Sequence, residues 1–256
     1  MHAKDQKEII RAAKAGGEVV RKYFGTVLTI VEKSKASDVR TEADVESEAA
    51  ITGILKKAFP AYNIFSEECG MIDRKSNYTF YIDPLDGTNN FTIGIPNFSV
   101  SIALVRGKEI IFGAIYLPML DLVYTAAKGE GAFCNNRKLT LSAETVLNRS
   151  TFAFMCGYHC PKPFIIKTIG NFSRRMKRVL VSWSVASDLC LLASGKIEAA
   201  INRKTELHDF LAGKLIAKEA GCIVTDFYGK PEKNDLNHSF LVSNNMKIHR
   251  QVLLSL

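Results

Sequence analysis

Residues 81–91 read YIDPLDGTNNF. With Thr79 and Phe80 before them they carry a β-prone apolar run into two aspartates, Asp83 and Asp86, set around Pro84 and ahead of Gly87. Proline fixes φ, glycine tolerates positive φ and aspartate bonds nearby backbone amides, so any DPxDG reads first as a strand exit. One such side-chain contact closes the turn, however, and two neighbouring carboxylates repel each other. The second acid asks for a cation.

Outward from this stretch, Ile9, Ala13, Val20 and Phe24 recur at helical spacing among charged residues, which predicts an amphipathic helix from Lys4 to Phe24. A second helix is predicted from Thr41, a suitable N-cap, to Phe59, with Pro60 closing it. Residues 63–66, 79–83, 98–105, 110–116 and 122–127 are short runs rich in Ile, Val, Phe, Tyr and Ser, the pattern of a largely antiparallel sheet. After Arg149, strands near 151–155, 178–182, 197–201, 222–226 and 239–243 alternate with helices near 162–173, 184–194 and 208–220 and a last helix from Lys247. The chain thus divides into an α+β part over residues 1–145 and an α/β part over 146–256, whose interface is a natural place for a cleft.

Composition bounds the partners. At 256 residues, 47% hydrophobic and 23% charged, the sequence supports one large core or two subdomains sharing a cleft. Lys plus Arg outnumber Asp plus Glu by 34 to 26, and the net charge of +8 favours anionic ligands, phosphate esters and nucleic acid alike. The N-terminal MHAKDQKEIIRAAKAGG is too charged for a signal core, and no later segment approaches a membrane-spanning apolar run. The six cysteines are scattered except for Cys156 and Cys160, which suits reduced thiols and a cytoplasmic location. His159 between those two lacks a second ligand pair at finger-like spacing, so zinc is not expected there.

The remaining acids sort by whether local structure needs them. Glu67 and Glu68 follow the strand-like Asn63-Ile64-Phe65-Ser66, so a second strand also ends in carboxylates. Asp209 begins a helix and Asp44 lies in the first turns of another, where acids serve the helix dipole or a capping box. Local evidence favours those structural roles. If all these segments converge, Asp44, Glu67, Asp83, Asp86 and Asp209 share a pocket at a formal charge near −5. Oxygen ligands without clustered His or Cys then point to Mg²⁺, Mn²⁺ or Ca²⁺ and away from zinc.

Taken together, DVRTEADVESE (38–48), IFSEECG (64–70), YIDPLDGTNNFTIGIPNFSVSIAL (81–104), GAIYLPMLDLVYTAAKGEGAFCN (113–135) and the segments around Ala186 and Asp209 closely resemble the inositol monophosphatase family of Mg²⁺-dependent, lithium-sensitive phosphatases. The resemblance runs from about Lys33 to Val242 and is strongest at DPLDGTNNF. It implies a layered αβαβα sandwich of the inositol monophosphatase and fructose-1,6-bisphosphatase type, commonly a homodimer. In bacteria the pattern belongs to a SuhB-like branch, for which a part in ribosomal RNA transcription, and so an RNA polymerase or transcription-factor partner, is also implied.

Carried over position by position, the resemblance gives Glu67, Asp83 and the Leu85 carbonyl to a first metal and Asp83, Asp86 and Asp209 to a second. A third, weaker ion would rest on Glu67 and waters. Thr88 and Asp44 match the pair that orients and deprotonates the attacking water, with Glu67 also counted as catalytic. Lys33 matches a basic residue on a mobile loop. Asp86, Gly87, Thr88, Val185 and Asn202 are the implied substrate contacts, the backbone N–H groups of Gly87 and Thr88 facing the phosphate at a helix start. Two divalent cations beside an ester serve the attacking and leaving oxygens of an in-line displacement.

Several positions depart from the family pattern. His208 stands where tryptophan is common and Leu211 where alanine is, Trp183 occupies a usual glycine, and Asn202 replaces a glutamate that contacts sugar hydroxyls in inositol-preferring members. Trp183 is expected to narrow the substrate side, and Asn202 weakens the case for inositol. KGEGAF at 128–133 reads as a hairpin turn and SRRMKR at 173–178 as a solvated helix end. His208 is expected behind the ligands or packed.

Three functions follow. The first is a Mg²⁺-dependent phosphatase for inositol monophosphate or a similar sugar or polyol phosphate. The second is a related phosphatase for fructose bisphosphate, NADP or phosphoadenosine phosphate. The third is a regulator of transcription or RNA processing. Retention of Glu67, Asp83, Asp86, Thr88 and Asp209 favours catalysis.

Overall fold

The computed structural model describes residues 1–33 and 39–256; residues 34–38, among them the Asp38 that opens DVRTEADVESE, lie outside the described residues. The first half comprises α1 (Ala3–Tyr23), β1 (Ile30–Glu32), β2 (Val39–Thr41), α2 (Glu42–Ala58), β3 (Asn63–Ser66), β4 (Gly70–Ile72), β5 (Tyr78–Asp86), α3 (Thr88–Thr92), β6 (Ser99–Arg106), β7 (Glu109–Leu117), β8 (Leu122–Ala127), β9 (Gly131–Cys134) and β10 (Arg137–Lys138). It continues with β11 (Thr151–Cys156), α4 (Lys162–Arg175), β12 (Arg178–Leu180), α5 (Val185–Ala193), β13 (Ala199–Arg203), α6 (Leu207–Glu219), β14 (Ile223–Thr225), β15 (Ser239–Ser243) and α7 (Met246–Leu253).

Two large sheets result, an eight-stranded one in the order β10-β9-β8-β7-β6-β5-β3-β4 and a five-stranded one in the order β12-β11-β13-β15-β14. The first is antiparallel except where β3 and β5 run parallel. In the second, β11 is parallel to β12 and β13, while β15 is antiparallel to its neighbours. Alternate side chains of a strand point to opposite faces, and this period separates three cores. On one side of the large sheet, Ile9, Val20, Ile51 and Leu55 of α1 and α2 meet Phe80, Ile82, Ile102 and Leu104. On its other side, Ala103 and Val105 pack on Leu189, Phe210 and Ile216 of α5 and α6, which reach on to Ala153, Met155 and Val242 of the second sheet. The far face of that sheet, Phe152, Phe154 and Ile201, meets Phe172 of α4 and Ile248 and Val252 of α7. The layers are therefore α, β, α, β, α, each fully buried aliphatic or Phe side chain contributing roughly 1.5–3 kcal/mol. Close approach in the middle layer depends on Gly113, where a Cβ would lie 2.8 Å from the Ala212 carbonyl oxygen.

The long elements fall where periodicity puts them, including Thr41 as N-cap of α2, its side chain accepting from the Ala43 N–H. The structure adds β1, β2, β4, β9, β10 and α3, all of five residues or fewer. It also moves the strand expected at 197–201 to 199–203, because Glu198 is drawn into side-chain bonds with Ser142 and the Thr151 N–H. Lys128-Gly129-Glu130 is the hairpin turn between β8 and β9. All six cysteines are free thiols. Among the described residues no helix is long and apolar enough to cross a membrane.

Candidate active site

The quoted stretch does not leave the sheet at Asp83. β5 runs on through Pro84 to Asp86, with Asp83 opposite Ser101, Asp86 opposite Ser99 and a bulge between them. A bulge inserts chain on one side of a ladder and re-aims side chains, which lets two acids three apart face one place. The Leu85 N–H donates to Asp83 Oδ1 at 3.0 Å, the Asx contact expected of the sequence. The turn itself begins at Gly87, whose φ of 95° suits glycine.

Parallel pairing supplies the next acid. Ser66 lies beside Ile82 in the ladder and the Glu67 N–H donates to the Ile82 carbonyl at 3.3 Å, so Glu67 leaves its strand alongside Asp83. Asp209 arrives from α6, whose start is tied to the sheet by Ser101 Oγ donating to the His208 carbonyl at 3.2 Å. Asp44 comes from α2, where Ser47 Oγ donates to the Pro84 carbonyl at 2.8 Å. Asp44 Oδ2 accepts from the Thr41 N–H at 2.8 Å and hydroxyl at 2.6 Å. Thr88 Oγ1 lies 3.1 Å from Asp44 Oδ1 and 2.9 Å from the Leu85 carbonyl oxygen, either of which can take its one proton.

Asp86 is fixed from four directions. Oδ2 accepts from Ser99 Oγ at 3.0 Å, Ser184 Oγ at 2.6 Å and the Ala186 N–H at 3.1 Å, and Oδ1 accepts from the Val185 N–H at 3.0 Å. The carboxylate thus caps α5, whose N-terminal dipole favours an anion. Despite these bonds, burial pushes Asp86 up to about 6. Asp83 is raised well above the carboxylate range by burial and by the charges of Glu67, Asp86 and Asp209. Asp209 is raised likewise by burial, Asp86 and Glu67. Burial also lifts Asp44 to about 7 against its bonds from Thr41. These carboxyls destabilise one another in the bare chain, and a cation between them would remove the conflict.

Lys33 Nζ donates to Glu67 Oε1 at 2.8 Å and also to Glu68, so this ammonium sits on the Glu67 side of the site. Burial opposes its charge, but Glu67 and Glu68 outweigh this and raise its pKa. His208 is buried and stacked on Phe65 with ring centroids 6.1 Å apart. Its Nε2 lies 3.2 Å from Asp209 Oδ1, and burial lowers its pKa, leaving a neutral ring. Glu67, Asp83 and His208 each offer a ligand atom, all within 4.8 Å of one another.

Glu67, Asp83, Asp86, His208 and Asp209 line a cleft of about 370 Å³ together with Leu85, Gly87, Thr88, Val185 and Lys33, while Asp44 is fully buried and reaches it only through Thr88. Asn202 does not join them. It is fully buried in β13, accepting from Thr205 Oγ1 at 2.8 Å and donating to the His238 carbonyl at 3.0 Å, so the expected substrate contact is corrected. An amide in an all-buried strand register has nowhere to point but into these partners. The wall is formed instead by Lys204, Thr205 and Glu206, the last capping α6. Two anchors escaped sequence reasoning, Ser99 and Ser184, because they act across long separations. Asp188 was also missed. It is buried on the cleft wall with Oδ1 lacking a hydrogen-bond partner, and burial lifts it to about 7. A lone acid in the apolar run VASDLCLLA was the available signal.

The family model of the inositol monophosphatase family matches residues 3–255. The chain belongs to that family. Among its relatives within or beside the inositol monophosphatase family, the fructose-1,6-bisphosphatase/inositol-1-monophosphatase of Thermotoga maritima is 32% identical over 95% of this chain and 92% of its own. The Nus factor SuhB of Pasteurella multocida is 36% identical over 93% of this chain and 88% of its own. The crystal structure of the extragenic suppressor protein SuhB from Bartonella henselae superposes with a TM-score of 0.92 at 29% identity, covering 99% of this chain and 98% of the other.

Proposed function

We infer that this inositol monophosphatase family member is a Mg²⁺-dependent phosphomonoesterase acting on small phosphate esters. The carrying observation is the meeting of Glu67, Asp83, Asp86 and Asp209 at one end of a cleft, with Asp83 and Asp209 raised by burial and by their neighbours' charges and Asp86 raised by burial. Clustered oxygen donors with a single imidazole fit a hard divalent ion, two or three per site, with Mn²⁺ as a substitute. Glu67, Asp83 and the Leu85 carbonyl would hold one ion, and Asp83, Asp86 and Asp209 a second. When bound, such ions supply charge for the ester oxygens and lower the pKa of water.

The chain's own residues do the rest. Thr88 Oγ1, 3.1 Å from Asp44 Oδ1, passes the proton of the attacking water to that carboxylate. The backbone N–H groups of Gly87 and Thr88 hold phosphate oxygens at the start of α3, Val185 and Asp86 border the ester, and Lys33 swings between Glu67 and the entering anion. Inositol monophosphate and sugar or polyol phosphates are the first substrate class. The relative from Thermotoga maritima, named for two substrates, supports fructose bisphosphate as the alternative. The test is phosphate release from a panel of phosphorylated metabolites with and without Mg²⁺, beside Asp86→Asn. Mg²⁺-dependent release lost in the variant supports the reading, and no release from any ester sinks it.

A second reading, a partner of RNA polymerase or of a transcription factor, is supported by the likeness to the Nus factor SuhB and by the net charge of +8. Capture of polymerase factors by Asp86→Asn as well as by the native protein would support it. A homodimer belongs to the same family reading and is checked by light scattering.

A further inference from the structure

The net charge of +8 is not spread evenly. The outer layer made by α1 and α2 carries eight Lys or Arg against seven Asp or Glu, whereas the opposite outer layer, α4 and α7, carries six against none. No acid occurs between Glu144 and Asp188, nor after Asp235. Lys162, Lys167, Arg174 and Arg175 of α4 and Lys247 and Arg250 of α7 are all exposed. Lys167 donates to the Leu256 carbonyl oxygen at 2.6 Å, and Arg174 and Arg175 donate to Asn171 Oδ1 and Ser255 Oγ, both at 3.3 Å; none of these partners is a carboxylate side chain. Like charges gathered on one face repel one another, so the fold itself gains nothing from keeping them together.

Apolar side chains stand among these cations. Ile166 is 72% exposed, Leu254 86%, and Tyr228, on the turn after β14, 87%. Printed contacts of their neighbours join the three into one surface. Lys167 reaches the end of α7, Phe227 stacks on Phe164 with ring centroids 6.3 Å apart, and a Cβ on Gly229 would lie 3.0 Å from Leu253. Asp226 beside Tyr228 is engaged locally, accepting from the N–H groups of Tyr228 and Lys230 at 2.9 and 2.8 Å. Single apolar side chains on a surface are ordinary, but aliphatic tips set among uncompensated cations fit an anionic bilayer, the cations meeting its headgroups and the tips entering the acyl boundary. A nucleic acid would engage the same cations, yet it offers nothing to Ile166 or Leu254, since its protein partners present more polar faces. We propose that the outer face of α4 and α7 docks on an anionic phospholipid surface. None of these residues lines the cleft, so the proposal stands apart from the phosphatase reading.

Sedimentation of the full chain with lipid vesicles at low salt tests it. The native protein should pellet with vesicles of phosphatidylcholine and phosphatidylglycerol in equal parts, stay in solution with phosphatidylcholine alone, and be released as added salt screens the charges. Each Lys or Arg beside an anionic surface is worth roughly fivefold in affinity, so Arg174→Gln with Lys247→Gln should weaken binding about 25-fold. Ile166→Ser with Leu254→Ser leaves every cation in place and should weaken it about tenfold. All four side chains are exposed, so both double variants should keep the native Tm. No pelleting with the mixed vesicles overturns the proposal, as does vesicle binding that the serine pair leaves unchanged. Capture of single-stranded RNA in place of vesicles, undiminished in the serine pair, overturns it in favour of a nucleic-acid face.

Discussion

Replacing Asp83 by asparagine should make the metal-free protein more stable while ending its response to metal. Asp83 is buried, accepts one backbone hydrogen bond, and faces Glu67, Asp86 and Asp209. An acid whose folded pKa is raised above its unfolded value favours folding only while protonated. Its penalty grows as pH rises through the folded pKa. An ionised carboxylate buried there without a cation costs on the order of 3 kcal/mol, the scale of an uncompensated buried charge. Asparagine keeps an acceptor for the Leu85 N–H and carries no charge. In EDTA at pH 8, Asp83→Asn should therefore gain about 2–3 kcal/mol, a rise of about 5–10 °C in Tm for a chain of this size. Near pH 4 the gain should shrink towards zero, because the native carboxyls are then protonated. Adding Mg²⁺ should raise the Tm of the native protein and leave the variant where it was. A variant less stable than the native protein in EDTA at pH 8, or a gain independent of pH, would refute the reasoning.

Other outcomes follow from single contacts. Thr88→Val should lower kcat by about 10²–10⁴-fold with unchanged Tm, and Thr88→Ser should restore most of it, because only the hydroxyl near Asp44 is needed. His208→Phe should weaken Mn²⁺ binding about tenfold more than Mg²⁺ binding in calorimetric titration, nitrogen being the better ligand for the former; equal losses would mean that the ring only packs on Phe65. Lys214 is fully buried, donates to Glu232 at 2.9 Å and to the carbonyls of Asp235 and Asn237 at 3.0 Å, and burial lowers it to about 8. Lys214→Met should cost about 3 kcal/mol in urea unfolding, by leaving Glu232 with Lys218 alone and the Asp235 and Asn237 carbonyls without this donor. Between about pH 8 and 10.5 the unfolded chain binds the proton that native Lys214 has released, so this residue's share of stability should rise with pH there.

Much of this was legible in the residues because it is local. Thr41 and Pro60 bound α2, runs rich in Ile, Val, Phe, Tyr and Ser mark β6 to β8, and DPLDG announces a bend bearing acids. The convergence was not local. Glu67 meets Asp83 through a parallel register, and Asp209 reaches both through Ser101, neither of which periodicity encodes. The short strands β1, β4 and β10 have no pattern long enough to read, and they exist by pairing with longer neighbours. Asn202 went astray because sequence position fixes a register and not the depth of burial beneath it. Trp183 was legible as an oddity, since a tryptophan at a glycine position signals unusual backbone, and its φ of 57° gives the reason.

The most direct measurement is anomalous diffraction from a crystal soaked in Mn²⁺. Peaks should lie among the carboxylate oxygens of Glu67, Asp83, Asp86 and Asp209, displacing Lys33 from Glu67. A difference map with no manganese among these four side chains would contradict the central claim that repelling acids are gathered to hold divalent ions beside a phosphate ester.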